Sequence, residues 1–192
     1  MGKTLEEVIE KLKNGKVSVL PTDTIYGLVG SALSKKVVER IYRLKKRDPK
    51  KPMIILISSI DDLDLFEIEV TPQIKRILKK LWPGKVSIIL PSLLKKFSYL
   101  HRGTKTLAFR LPQLKWLRNL LKETGPLVAP SANPEGLPPA VTVSQAREYF
   151  GENVDFYLDG GELSGSPSTL IQIKKGKIII KRKGSGKIED KI

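Results

Sequence analysis

Residues 168–182 read Ser-Thr-Leu-Ile-Gln-Ile-Lys-Lys-Gly-Lys-Ile-Ile-Ile-Lys-Arg, and their pairing decides what kind of sheet this chain can build. Two isoleucine-rich runs, Ser168–Ile173 and Lys177–Arg182, are parted only by Lys174-Lys175-Gly176. A link that short returns the chain antiparallel; a parallel pair needs a crossover of about a dozen residues or more. Working outward, helical and strand patterns alternate. Thr4-Leu5-Glu6-Glu7 is a capping box ahead of a stripe at Leu5, Val8, Ile9 and Leu12, with Gly15 as the stop. Lys16–Leu20 reads as a buried strand closed by Pro21, and Thr22–Gly27, with no period, as a loop or strand edge. Ser34 caps a helix to about Arg47, Met53–Ile57 is an apolar strand, and Thr71-Pro72 opens a helix with a stripe at Ile74, Ile77, Leu78 and Leu81. Val86–Leu90, Thr106–Leu111, Leu127–Ala129 and Val154–Leu158 read as strands, Leu114–Thr124 as a helix, and Thr142-Val143-Ser144-Gln145 as a second capping box before a helix to Phe150. Upstream alternation with an antiparallel end gives the α/β class: a twisted mixed sheet with flanking helices.

A chain of 192 residues fits one domain. That domain is expected over residues 1–184, with a basic, flexible tail from Gly184-Ser185-Gly186 onward, over residues 185–192. No apolar stretch approaches the ~20 residues of a membrane span, and Met1 opens onto polar residues. Neither a signal peptide nor a membrane contact is expected. The absence of cysteine excludes disulfides, thiolate metal sites and thiol nucleophiles, and fits a reducing, cytoplasmic setting. With His101 as the single histidine, a multi-histidine metal centre is impossible, so no protein-built metal site is expected. The net charge of +15 is concentrated: Lys35–Lys51 carries +7 and Lys174–Ile192 carries +6, leaving +2 for the other 156 residues. One lysine-rich run is often only a solvated face, but two separated runs point to a polyanion, nucleotide or RNA.

Walker-A, G-x-G-x-x-G and G-x-S-x-G patterns are absent, which disfavours a P-loop ATPase, a Rossmann oxidoreductase and an ordinary serine hydrolase. Three segments remain. Arg110 sits in Thr106–Leu111 with Ala108 on its face by parity, and is either a surface cation or a fork for a carboxylate or phosphate. The stretch from Ala129 to Pro139 directly follows a strand, where open α/β sheets place their ligand crevice. Ser131 and Asn133 supply neutral donors there, although the same residues build ordinary turns. Lys45-Lys46-Arg47-Asp48-Pro49-Lys50-Lys51 holds more cations than a helix dipole requires, a concentration suited to a triphosphate.

Together with Pro21-Thr22-Asp23-Thr24-Ile25-Tyr26-Gly27, these segments resemble the YrdC-type threonylcarbamoyl-AMP synthase family. The likeness extends through Lys45–Met53, Trp82–Ser87, Leu107–Arg110, Ser131–Gly136 and Ser168-Thr169-Leu170, six motifs in order from Val17 to about Gly184. The resemblance implies a concave basic cleft and an enzyme, a nucleotidyltransferase. It would condense L-threonine, bicarbonate or CO2 and ATP into threonylcarbamoyl-AMP and pyrophosphate, for the t6A modification of tRNA. It further implies Arg110 as carboxylate clamp with Thr22 and Thr24 in the amino-acid pocket, and Lys45, Arg47 and Lys51 on the ATP phosphates. Ser131, Asn133, Thr106, Thr169 and Arg182 would complete the nucleotide site, with Lys45, Arg47 and Arg110 as the catalytic set. Mg2+ would come with ATP, held by substrate oxygens and water. The implied partners are a possible tRNA or double-stranded RNA contact and the threonylcarbamoyl-transfer proteins that receive the product. His101, outside every motif, is expected to be a surface or hinge residue.

Asp48 stands where the family commonly has proline, Leu56 where long-form members place a histidine, and Pro139 where they place a serine. These departures point to the short, single-domain form. Two other readings compete: a basic module that binds RNA without turnover, and a domain that makes a carbamoyl adenylate.

Overall fold

The computed structural model describes residues 4–174 and 177–188. The expected link at Lys175-Gly176 and the tail residues 189–192 lie outside them. Among the described residues, nine strands form one mixed sheet. They are β1 (Ser18–Leu20), β2 (Gly27–Ser31), β3 (Ile54–Leu56), β4 (Val86–Pro91), β5 (Thr106–Arg110), β6 (Leu127–Val128), β7 (Phe156–Tyr157), β8 (Thr169–Lys174) and β9 (Lys177–Arg182). The order across the sheet is β7-β1-β2-β6-β3-β5-β4-β8-β9. β1–β7, β3–β5 and β4–β8 are parallel and the other pairs antiparallel, including β8–β9. The helices are α1 (Leu5–Lys13), α2 (Lys35–Lys45), α3 (Pro72–Leu81), α4 (Ser98–His101), α5 (Lys115–Thr124) and α6 (Val143–Phe150). The Thr4–Glu7 box forms, and Ser34, Thr71 and Thr142 each accept a backbone N–H of the first turn; the expected second box closes on one side only, because the Gln145 side chain accepts the Val141 N–H rather than that of Thr142. None of these helices is long and apolar enough to cross a membrane.

The cleft arises because the two faces of the sheet are covered unequally. On one face Val37, Ile41, Leu78, Leu81, Phe109, Leu107 and Ile171 belong to a continuous core under α2 and α3, with Phe66 edge-on to Phe109. On the other, α1 and α5 lay Val8, Leu12, Leu117, Leu120 and Leu121 over Leu20, Val29, Leu56 and Leu127. That second cluster takes in no side chain of β5, β4, β8 or β9, and there Thr106, Ala108 and Arg110 share a face as parity predicts. Leu56, at the position given to histidine in long-form members, is buried in the α5 cluster rather than in the cleft.

Several elements depart from the sequence reading. β2, buried along most of its length, shows no alternation to betray it. The 3-10 turn Ile60–Phe66 and α4 are too short for a period to register. His101 corrects the expectation of a surface or hinge residue. It is buried in α4, and its Nδ1 accepts the Gly103 N–H at 3.1 Å. Gly184–Ile188 also differs from the flexible tail expected there. Ser185 N–H donates to the Pro167 carbonyl, Gly184 and Gly186 N–H donate to Thr169 Oγ1, and Ile188 is buried. The glycines permit close approach rather than flexibility: a Cβ would lie 2.2 Å from the Pro167 carbonyl oxygen at position 184 and 2.3 Å from that of Lys85 at position 186.

Candidate functional site

The open half of the sheet forms a cleft of about 360 Å³. Its floor is Ile54, Ile89, Ala108 and Leu170, its cations are Arg47, Arg110 and Arg182, and its hydroxyls include Thr22, Thr24, Thr106, Ser131 and Ser168. No carboxylate lines it among the described residues. Arg110, only 4% exposed, ends β5 with Nη1 donating to Thr24 Oγ1 at 2.9 Å and Nη2 3.2 Å from Asp23 Oδ1. Its Nε has no hydrogen-bond partner among the described residues. Burial lowers the Arg110 pKa, Asp23 opposes that shift, and Arg182 adds to it. Arg182 is lowered first by burial and then by Arg47. Three guanidiniums therefore line one cavity, with Arg182 acting on Arg110 and Arg47 on Arg182, an arrangement that calls for an anion.

Thr22 builds the turn beside this cluster. Its Oγ1 donates to the Ile25 carbonyl at 2.7 Å and accepts the N–H groups of Thr24 and Ile25. Tyr26 ties the turn to the loop before β8, donating to the Gly161 carbonyl at 2.7 Å and accepting the Gly160 N–H at 2.9 Å. Gly165 lies so close that a Cβ would stand 2.6 Å from the Thr24 carbonyl oxygen. On the opposite rim Arg47 is braced, Nε to the Lys51 carbonyl at 2.9 Å and Nη2 to the Pro52 carbonyl at 3.0 Å.

Arg182 reaches the cleft through an irregularity. Ile180 pairs with Ile171, which is buried in the core, and Arg182 pairs with Leu170, which lines the cleft, so Lys181 is an extra residue in β9. Strict alternation would place Arg182 on the Ile180 face; the bulge turns it to the other.

Not every expected site residue faces the cavity. Thr22, Thr24, Arg47, Thr106, Arg110, Ser131 and Arg182 line it, whereas Lys45, Lys51, Asn133 and Thr169 do not. Lys45, expected on phosphates, is 1% exposed, and its Nζ donates to the Ser131 and Asn133 carbonyls, fastening the end of α2 under that loop. Lys51 pairs with Glu135. The Asn133 amide donates to the Pro134 and Leu137 carbonyls, so it shapes its own turn. Thr169 Oγ1 donates to the Gly186 carbonyl at 2.7 Å. Its neighbours Ser168 and Leu170 face the cleft instead, an outcome that strand parity decides and that sequence spacing alone does not reveal. Met53, Pro139, Pro167 and Thr104 also line it without having been singled out as candidates.

The profile of the Sua5/YciO/YrdC family, described as Telomere recombination, matches residues 10–184. The chain is 30% identical over 181 residues, 93% of its length, to a threonylcarbamoyl-AMP synthase of Pyrococcus abyssi, and spans about half of that protein, 53%. A threonylcarbamoyl-AMP synthase of Marinobacter nauticus is 31% identical over 166 residues, covering 84% of this chain and 87% of its own. The crystal structure of P. abyssi Sua5 complexed with L-threonine superposes with a TM-score of 0.86 at 30% identity, over 94% of this chain and 54% of that one.

Proposed function

This chain belongs to the Sua5/YciO/YrdC family, and on that premise we propose that its cleft joins L-threonine, bicarbonate or CO2 and ATP into threonylcarbamoyl-AMP and pyrophosphate. The observation that carries the reading is the convergence of Arg47, Arg110 and Arg182 on one cavity beside Thr22 and Thr24. Arg110 and Thr24 hold the threonine carboxylate, while Arg47 and Arg182, with the Ser131 and Thr106 hydroxyls, hold the phosphates. The threonine amine adds to CO2, losing a proton. A carbamate oxygen then bonds to the α-phosphorus as the bond to the β-phosphate oxygen breaks, and pyrophosphate leaves with that electron pair. No protein nucleophile takes part; positioning and charge neutralisation accelerate the step. Mg2+ belongs in this reading to the triphosphate oxygens, because guanidiniums and hydroxyls line the cleft and offer no carboxylate to hold it. The nucleotide stage of tRNA t6A synthesis in a cytoplasmic setting follows from the same reading.

The direct test is purified chain with ATP, threonine and labelled bicarbonate. A labelled adenylate should form, with pyrophosphate release that requires threonine and bicarbonate together. Threonine-independent ATP consumption, or RNA binding without turnover, would overturn the reading.

A second prediction concerns the bulge. Deleting Lys181 should restore alternation in β9 and leave Arg182 directly after Ile180, still opposite Leu170 on the cleft face, so the ATP requirement should stay within a few-fold of wild type, whereas Arg182→Ala should raise it roughly 10- to 30-fold for one charged hydrogen-bonding group. Adenylate assays at varied ATP read this out; a deletion as damaging as Arg182→Ala would show that the guanidinium needs the bulge and not only the Leu170 face.

A further inference from the structure

β9 is the outermost strand, and among the described residues its only strand partner is β8. It presents the outer backbone edge of six residues, with Ile179 38% and Ile180 44% exposed. Natural edge strands of this length are usually covered, shortened or blunted by charge; β9 carries charge only at its ends, at Lys177, Lys181 and Arg182, and its central isoleucines stay open. Beside it, α3 and the start of β9 enclose a groove of about 570 Å³, floored by Ile77, Leu81 and Ile178 and rimmed by Arg76, Lys80 and Lys177. We propose that this edge and groove form a docking site for an extended acidic segment of a partner protein, which adds to the sheet as a strand beyond β9.

Charge and pairing select this occupant over two others. A second copy related by a two-fold axis would pair antiparallel. Centred between Ile179 and Ile180, that pairing sets Lys177 opposite Arg182 at each end of the ladder, cation to cation in a chain already at +15. Acidic residues at both ends of an incoming strand reverse each of those contacts. RNA satisfies the same cations, yet has nothing to offer two exposed isoleucines or a row of main-chain donors and acceptors. A polypeptide strand supplies both, its backbone pairing with the edge and alternate apolar side chains reaching Ile178 and the groove. Because β9 ends at Arg182 on the cleft rim, an occupant of this edge lies beside the cleft's mouth.

The experiment uses the full chain without substrates, so its outcome is independent of the proposed catalysis. Fluorescein-labelled acidic peptides, with Asp-Val-Glu-Ile-Val-Glu-Asp as the first probe, are titrated with protein and followed by anisotropy. Expected are saturable binding that weakens with salt, at least tenfold weaker binding to the Lys80→Glu, Lys177→Glu double variant, and loss of binding when alternate peptide nitrogens are methylated. Amides of β9 should exchange more slowly with the peptide bound. Thermal unfolding of the double variant, both of whose substitutions lie outside the cleft, checks that it folds; charge reversal at Lys181 serves in its place should it not. No saturable peptide binding up to millimolar concentration overturns the proposal, as does binding indifferent to methylation. So does a duplex RNA that binds with the same charge-reversal sensitivity while the peptides do not, or a dimer in sedimentation that Ile179→Asp dissolves.

Discussion

Arg110→Ala is expected to raise the threonine concentration for half-maximal adenylate formation about 30- to 150-fold, corresponding to about 2–3 kcal/mol of charged hydrogen bonding, while the ATP requirement changes little. The asymmetry follows from placement. Arg110 holds Thr24 and approaches Asp23, in the segment that builds the amino-acid end of the cleft, whereas Arg47 and Arg182 are fixed from other elements. Truncation also has a folding cost. Asp23 is as buried as its partner, and breaking a buried ion pair from one side costs about 3–5 kcal/mol, largely the stranded charge. The single variant therefore needs companions. Arg110→Lys keeps the cation but not the fork, and Arg110→Met with Asp23→Asn removes both charges together. Both should unfold at higher temperature than Arg110→Ala and still require more threonine. Equal rises for threonine and ATP across the series would refute the clamp, and an unchanged threonine requirement would remove Arg110 from the site.

Why the sequence disclosed some of this and concealed the rest can be traced to particular residues. Capped, periodic helices were readable because Thr4, Ser34, Thr71 and Thr142 announce their starts through local hydrogen bonds. Arg110 was readable because parity along β5 puts it with Ala108 and Thr106, and the structure keeps that face open. β2 was not, since a strand buried on both faces has no alternating signal. The glycines at 184 and 186 have two opposite uses in a sequence, flexibility and close approach, and only the oxygens of Pro167 and Lys85 decide between them. Thr169 and Ser168 carry similar hydroxyls one position apart, and the strand register, which spacing does not contain, turns Ser168 toward the cleft. Lys45 is the sharpest instance. A cation in a basic run reads as a phosphate contact, and its inward course depends on carbonyls 86 and 88 positions away.

That inward course makes Lys45→Met the other substitution of large expected effect, here on stability first. Methionine keeps the volume and the apolar stem but strands the Ser131 and Asn133 carbonyls, and each buried unsatisfied acceptor costs about 1–3 kcal/mol. A loss of about 2–5 kcal/mol is expected. Its pH dependence identifies the cause. Burial, reinforced by the charge of Arg47, lowers the Lys45 ammonium to about 7, against about 10.4 in the unfolded chain. Between those values the unfolded state binds more protons, so this group makes the wild-type fold gain stability as pH rises from about 7 toward 10 and lose it as pH falls back through 7, by at most about 1.4 kcal/mol per unit. The methionine variant lacks that contribution, and the gap between the two proteins should widen with pH in denaturant titrations. Activity should suffer through Ser131, which Lys45 holds at the cleft wall, with a moderate rise in the ATP requirement. A variant as stable as the wild type but far poorer in ATP use would instead place the ammonium on the phosphates.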